Sequence, residues 1–485
     1  MTEESLKHKT IKGVAWSALE NITRLGVTFF VSIILARLLS PDEYGLIGIL
    51  TIFISMFNTM VDSGFSNALI RKQNVSDVDY STVFYINLVL SVILALILFC
   101  TSRLIAIFFE RPELLLLTKV MSCVVIINAF SIVQRVRVTK RLDFKTLTKV
   151  TLIASVGSGI IGILLAFNGY GVWALVWQQI SNQFITTLLF WIYNRWVPDF
   201  IFSFSSFKDL WSFGSKLLAS SLLATAWGEL YKVVIGKCYS STTLGLYTRA
   251  VQFSELCSSN LTSVVQRVSY PVFSSIQDDR FRLKQAYKRV IKTTMFPTFV
   301  LMLGMAASSD SIIRTLLGVQ WIECVPMLQI VCFSGMLYPL HALNLNMLQV
   351  QGRSDLFLKL EIIKKIIAIG PLILGIFFNI HWMLIGSVII GIFSYYLNAY
   401  YSGPFLNYSI KEQVKDIFPS FMIAIIIATP VYMMSFLSIN SLLLLVLQII
   451  VGVLSIIGIC ELTKFSTYIE IKEIVTSLVK TRFNK

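Results

Sequence analysis

Apolar segments of about twenty residues recur along almost the whole chain, each long enough to cross a bilayer as a helix. Phe84–Ser102 and Ser441–Cys460 carry no charge at all. In hydrocarbon every backbone amide must find its partner internally, so such segments have to be helices. We count about fourteen of them in 485 residues: roughly 13–36, 44–70, 81–102, 114–134, 150–167, 171–193, 210–235, 244–270, 291–309, 325–350, 358–378, 382–402, 417–437 and 441–460. The expected fold class is all-α, a polytopic membrane protein. The polar stretch Met1–Lys12 precedes a full-length span, so the first segment is expected to stay as a helix rather than be cleaved as a signal peptide.

Composition fits a lipid solvent. Only 14% of residues are charged, against about 25% in soluble domains. The net charge of +15 follows loop position rather than nucleic-acid chemistry. One set of alternate loops holds Lys7, Lys9, Lys12, Arg71, Lys72, Arg135, Arg137, Lys140, Arg141, Lys145, Lys149, Arg280, Arg282, Lys284, Lys288, Arg289 and the tail from Lys464. The other holds only Arg37, Arg103, Arg111, Lys237 and Arg314. The positive-inside rule then puts both termini of this multi-pass protein in the cytoplasm. The outward loops are all short, which argues against a membrane glycosyltransferase or polymerase. Asp77-Val-Asp79 resembles a nucleotide-sugar DxD but has no domain to hold a nucleotide. No GxxxxGK[ST] occurs. The seven cysteines lack CxxC spacing. No enzyme activity, metal or cofactor is expected.

Ala36-Arg-Leu-Leu-Ser-Pro-Asp-Glu-Tyr-Gly-Leu46 recurs 200 residues later as Gly236-Lys-Cys-Tyr-Ser-Ser-Thr-Thr-Leu-Gly-Leu246, with Ser40 matching Ser240 and Gly45 matching Gly245. Each copy joins the first and second span of a six-span set. Two parallel lobes follow as an expectation, 1–200 and 201–405, around a central cavity, with 406–485 adding two helices and a basic tail.

Polar residues at helical spacing mark the first two spans of each half. They are Ser17, Glu20, Asn21, Arg24 and Thr28; Thr51, Ser55, Asn58, Asp62 and Ser66; Ser221, Thr225, Glu229 and Lys232, with Lys216 on another face; and Thr248, Gln252, Glu255, Ser259, Thr262 and Gln266, beside Arg249 and Arg267. A charge at the bilayer centre costs roughly 2.5–3.5 kcal/mol on the lenient scale. Nine such groups facing lipid would cost on the order of 20 kcal/mol, more than a fold's typical ~5–15 kcal/mol. The stripes must therefore face each other or water. Arg24, Lys216, Arg249, Arg267, Asn58 and Gln252 are candidate substrate-binding residues. Glu20, Asp62, Glu229, Lys232 and Glu255 are candidates for ion coupling or charge pairing. Gln178, Gln179, Asn182 and Gln183 read as helix-to-helix hydrogen bonding.

Gly13-Val-Ala-Trp-Ser17, Ala36–Leu46, Ser81-Thr-Val-Phe84, Arg141-Leu-Asp-Phe144, Gly171-Val-Trp-Ala-Leu175, Leu244-Gly-Leu-Tyr247, Tyr270-Pro-Val-Phe273 and Gln351-Gly-Arg-Ser354 together resemble the polysaccharide transporter (Wzx-type flippase) family, of the superfamily that includes MATE exporters and the lipid II flippase. The resemblance runs from about residue 7 to residue 405. It implies two six-helix lobes lined by spans one, two, seven and eight. It implies translocation of an undecaprenyl-pyrophosphate-linked oligosaccharide from the cytoplasmic to the outer leaflet of a bacterial cytoplasmic (inner) membrane, for cell-surface polysaccharide synthesis (lipopolysaccharide, capsule or exopolysaccharide). The lipid bilayer, that glycolipid and the pathway's glycosyltransferases and polymerase are the implied partners. Relatives often carry an acidic residue just before the glycine ending span seven, where this chain has Tyr231 and Lys232, with Glu229 nearest. The competing expectation is a MATE-like cation-coupled drug antiporter, whose cavity would be dominated by unpaired carboxylates.

Overall fold

The computed structural model describes residues 26–62 and 64–483. It is helical throughout, and no strand occurs among the described residues. The chain divides into two compact units, Met1–Gly245 and Leu246–Lys485. The first holds α1 (Gly26–Leu38), α2 (Pro41–Asp62), α3 (Phe65–Arg71), α4 (Asp77–Phe108), α5 (Glu113–Lys140), α6 (Phe144–Phe167), α7 (Val172–Asn194) and α8 (Phe204–Cys238). The next helix, α9 (Ser241–Ser275), starts in the first unit and continues into the second. There follow α10 (Arg280–Ala307), α11 (Ser309–Leu316), α12 (Cys324–Gly335), α13 (Tyr338–Val350), α14 (Ser354–Ile367), α15 (Ile369–Phe377), α16 (Ile380–Leu406), α17 (Ile410–Met433), α18 (Ser441–Leu462) and α19 (Ser466–Phe483).

Thirteen of the expected spans fall on a helix or on two consecutive ones, and α1 covers the described part of the first. Nine helical segments among the described residues are long and apolar enough to cross a membrane on hydropathy alone. α7, α8 and α9 fall short for a physical reason: they carry the glutamine and stripe residues, whose polarity lowers the mean without shortening the helix.

Local sequence starts these helices. Ser76 caps α4, its hydroxyl accepting from the Asp79 amide while the Asp79 carboxylate accepts from the Ser76 amide at 2.9 Å. Asp143, Ser203, Asp279, Asn379, Ser409 and Asn440 cap α6, α8, α10, α16, α17 and α18 through their side chains. Asp77-Val-Asp79 is consumed by this architecture. Asp79 is buried and paired with Lys72 at 2.9 Å, and Asp77 pairs with Arg137 at 2.7 Å and accepts from the Trp196 indole.

In the first unit α4 packs on α5 and α6 on α7, with α2 between α5 and α8. Ser158 and Gly162, one turn apart on α6, let α7 come close: a Cβ on Gly162 would lie 3.0 Å from that of Gln178. Phe65, Tyr80, Phe84, Trp196 and Leu210 form a buried cluster joining α3, α4 and α8. On α4, Val89, Ile93, Leu96 and Leu104 are exposed, as a lipid-facing surface requires. α2 and α3 are parted at Gly64, whose φ of +69° is left-handed and whose missing Cβ admits the backbone of Gly214 on α8.

The two copies of the repeated motif meet inside this unit. Ser40 and Ser240 sit before α2 and α9 and serve as their N-caps. The Ser40 hydroxyl and amide donate to Glu43, and the Thr243 amide donates to Ser240 Oγ at 3.0 Å. Gly45 lies against the backbone of Ser241, and Gly245 against that of Pro41. Residues 41 and 241, 45 and 245 are equivalent in the repeat, so the contact is reciprocal, as a local two-fold axis demands. Arg111, from the α4–α5 turn, clasps it. It donates to both Asp42 carboxylate oxygens, at 2.8 and 2.5 Å, and to Ser241 Oγ at 2.6 Å.

In the second unit α10 packs on α12 and α17. Tyr287, Tyr408 and Trp321 are fully buried, the two tyrosine rings meeting edge to face at 6.1 Å. Lys284 pairs with Glu412, and Lys288 with Asp416, each at 2.9 Å.

Candidate functional site

A cavity of about 760 Å³ opens inside the first unit. α2 brings Thr51, Ser55 and Asn58 to it, one face of a helix in steps of three and four. α6 brings Thr151, Ser155 and Ser158 in the same way, and α7 brings Gln178, Gln179, Asn182, Gln183 and Thr186. Thr28 comes from α1, and Arg135 and Thr139 from α5. Ile54, Val124, Leu147 and Phe190 complete the wall. Among the described residues the lining holds one cation, Arg135, and no carboxylate. The Arg135 guanidinium stands 5.8 Å from the centre of the Phe190 ring.

Part of this polarity is spent on helix packing. Asn128 donates to Asn58 at 3.0 Å, Gln183 to Asn128 and Ser131 at 3.1 and 3.2 Å, and Asn182 to Ser158 at 3.0 Å. That bears out the packing role expected of Asn182 and Gln183. Gln178 and Gln179 make no side-chain hydrogen bond of this kind and face the cavity.

A second cavity of about 450 Å³ shares Asn58, Arg135 and Thr139 with the first. Asp62, Ser66 and Asn67 line it from α2 and α3, and Ser221 and Thr225 from α8. Asp62 accepts from the Ser66 hydroxyl, and Thr59 Oγ1 lies 3.2 Å from Thr225 Oγ1. A third, almost wholly apolar groove of about 570 Å³ lies between α4 and α8, walled by Phe65, Ile86, Val89, Phe207, Trp211 and Leu218. Among the described residues no group of His, Cys, Asp and Glu could hold a metal ion.

Of the residues singled out from the sequence, Glu20 and Arg24 lie outside the described residues. Asn58 and Asp62 are brought together with the α8 stripe, as the spacing predicts. Glu229 and Lys232 pair at 2.8 Å, one turn apart. Lys216, Glu255 and Arg267 are exposed. Arg249 is buried, 5% exposed, donates to Gln252 Oε1 at 2.5 Å and lies 5.9 Å from the Trp321 ring. Sequence reasoning missed Arg135, which the charge pattern assigned to a basic loop. Its signal was available, since Asn128, Ser131, Arg135 and Thr139 repeat on one face of α5.

Residues 34–326 match the family described as Polysaccharide biosynthesis protein. The chain is 25% identical over 354 residues to "Teichuronic acid biosynthesis protein TuaB" of Bacillus subtilis, covering 73% of each. It is 24% identical over 373 residues to "Lipopolysaccharide biosynthesis protein WzxC" of Escherichia coli, covering 76% of each. With "Succinoglycan biosynthesis transport protein ExoT" of Rhizobium meliloti the identity is 26% over 333 residues, 68% of this chain and 67% of the other. The fold is shared with "Lipid II flippase MurJ, inward closed conformation", with a TM-score of 0.74 at 15% identity over 92% of this chain and 98% of that one. An inward-facing MATE family multidrug transporter of the MOP superfamily follows at 0.62 and 16%, over 80% and 98%.

Proposed function

We propose, for a chain that belongs to the polysaccharide biosynthesis protein family, that it carries an undecaprenyl-pyrophosphate-linked oligosaccharide across the cytoplasmic membrane by alternating access. It is a polytopic membrane flippase of polysaccharide biosynthesis and not an enzyme. The observation that carries this reading is the 760 Å³ cavity, lined mainly by neutral hydrogen-bonding side chains inside a bundle of membrane-spanning helices. Sugar hydroxyls in transit need such groups, because a polar group that leaves water without a partner costs several kcal/mol. No bond of the cargo has to be made or broken. In the same proposal both termini face the cytoplasm, and glycosyltransferases and polymerase act before and after the chain.

Lys216 and Arg267, both exposed, remain candidates for the anionic head group. Arg249 can serve it only after leaving Gln252 and Trp321. The antiporter alternative has the same fold, but a MATE-like cation site calls for unpaired carboxylates. The larger cavity has none among its described residues.

The test is flipping itself. Proteoliposomes holding the purified chain and the lipid-linked oligosaccharide of the producing strain should expose the glycan on the opposite leaflet far faster than protein-free vesicles. Cells lacking the gene should accumulate that glycolipid on the inner leaflet. Proton-driven export of cationic drugs, with no movement of glycolipid, would establish the antiporter instead.

A further inference from the structure

We infer that the first unit holds the cargo's glycan in the 760 Å³ cavity and its pyrophosphate at Arg135. This rests on the flippase reading and adds to it where each part of the cargo lies.

Three observations carry it. The first is chemical. Gln178 and Gln179 face the cavity with amides that no described side chain or backbone group engages. Each offers donors and an acceptor, the complement of a sugar hydroxyl, which is both. Thr151, Ser155 and Thr186 add hydroxyls of the same dual character. The absence of a carboxylate from the described lining suits neutral sugars and does not repel acidic ones.

The second is positional. Arg135 lines both polar cavities, together with Asn58 and Thr139. It stands where a group joining the two spaces would pass, and its planar fork suits pyrophosphate oxygens. It lies near the end of α5 that also carries Arg137 and Lys140, the end proposed to face the cytoplasm. An anionic group entering from that side meets this cation before the neutral side chains of the described lining.

The third is rigidity. Asn58, Asn128, Ser131 and Gln183 are tied into one network across α2, α5 and α7. These bonds link the three helices without any cargo, and Gln178 and Gln179 project from the same helix as Gln183.

The inference separates the cargo into parts that can be measured separately. Purified full-length protein in lipid nanodiscs is titrated with undecaprenyl pyrophosphate, and then with the lipid-linked oligosaccharide extracted from the producing strain. Arg135→Gln should weaken binding of the bare pyrophosphate lipid about tenfold or more, and Arg135→Lys should recover part of the loss. In the wild type the glycan should tighten binding, and the ratio of the two affinities isolates its contribution. In the double variant Gln178→Ala with Gln179→Ala that ratio should fall about tenfold, because hydroxyl partners are lost. The ratio is internal to each variant, so partial misfolding cancels from it. An unchanged ratio in the double variant, or wild-type affinity of Arg135→Gln for the bare lipid, overturns the inference and leaves the flippase reading intact. A wild type that binds neither lipid overturns both.

Discussion

Adding one methyl group at Gly45 or Gly245 measures how tightly the two repeat copies are pressed together. A Cβ on Gly45 would lie 2.8 Å from the Ser241 Cα, with the Ser241 carbonyl nearer still, and one on Gly245 would lie 2.9 Å from the Pro41 carbonyl carbon. Ordinary carbon–carbon contact is ~3.5–4.0 Å, and the nearer carbonyl atoms set the clash, so the start of α2 and the start of α9 must part by roughly 1.5 Å. The obstacle is backbone on both sides, which has no rotamer to escape into. Overpacking of this kind costs ~1–3 kcal/mol, and the upper end applies here. Alanine favours a helix over glycine by about 1 kcal/mol, leaving each single variant less stable by about 2 kcal/mol. The double variant separates this account from any other. One displacement relieves both clashes, so Gly45→Ala with Gly245→Ala should cost well under the sum of about 4 kcal/mol. Gly228→Ala is the control, because nothing lies within 4 Å of its added Cβ. It should be neutral or stabilising by up to ~1 kcal/mol. Equilibrium denaturation in mixed micelles reads all four variants against wild type. Single variants as stable as wild type, or a double variant whose cost equals the sum, would refute the reciprocal contact.

Two further outcomes follow from charged pairs in the turns. Arg111→Gln removes a forked, charge-assisted contact to Asp42 and Ser241 and should cost ~1–3 kcal/mol by the same denaturation assay. Arg111→Lys should recover only part of it, since an ammonium cannot bridge both oxygens. The Arg353 guanidinium, hydrogen-bonded to Asp355, holds that carboxyl at about 2 rather than the usual 3.8. A lowered carboxylate value means the pairing contributes above the ordinary value and is lost as pH falls toward 2. Arg353→Ala should therefore move the Asp355 titration back up toward 3.8, read from its carboxyl carbon NMR shift.

Much of the fold was readable because lipid makes hydrophobic length a direct signal. The expected spans coincide with helices wherever the structure describes them, and the stripes of α2 and α8 do face a common space through Asn58, Asp62, Ser221 and Thr225. Other features were hidden for stated reasons. Arg135 carries the same charge as its loop neighbours Arg137 and Lys140, and composition cannot tell a basic residue in a loop from one turned into a cavity. In α7 helical spacing put the four amides near one another. It could not say that Asn182 and Gln183 meet α5 and α6 while Gln178 and Gln179 do not. The break between α2 and α3 depends on Gly64 yielding to the Gly214 backbone, a contact 150 residues distant that no local pattern reports.

The length of α8 has a consequence for how the chain meets its membrane. Its 35 residues make a rod of about 52 Å, against ~30 Å of hydrocarbon. The 22 residues of α18 make about 33 Å, close to a fit. A thicker bilayer can draw in more of the ends of α8, near Lys208 and Lys237, whereas α18 has almost no reserve and must lose tilt or leave its ends under hydrocarbon. Bilayer thickness therefore bears first on short helices such as α18, and the helix that borders the smaller polar cavity is buffered against it by its own surplus.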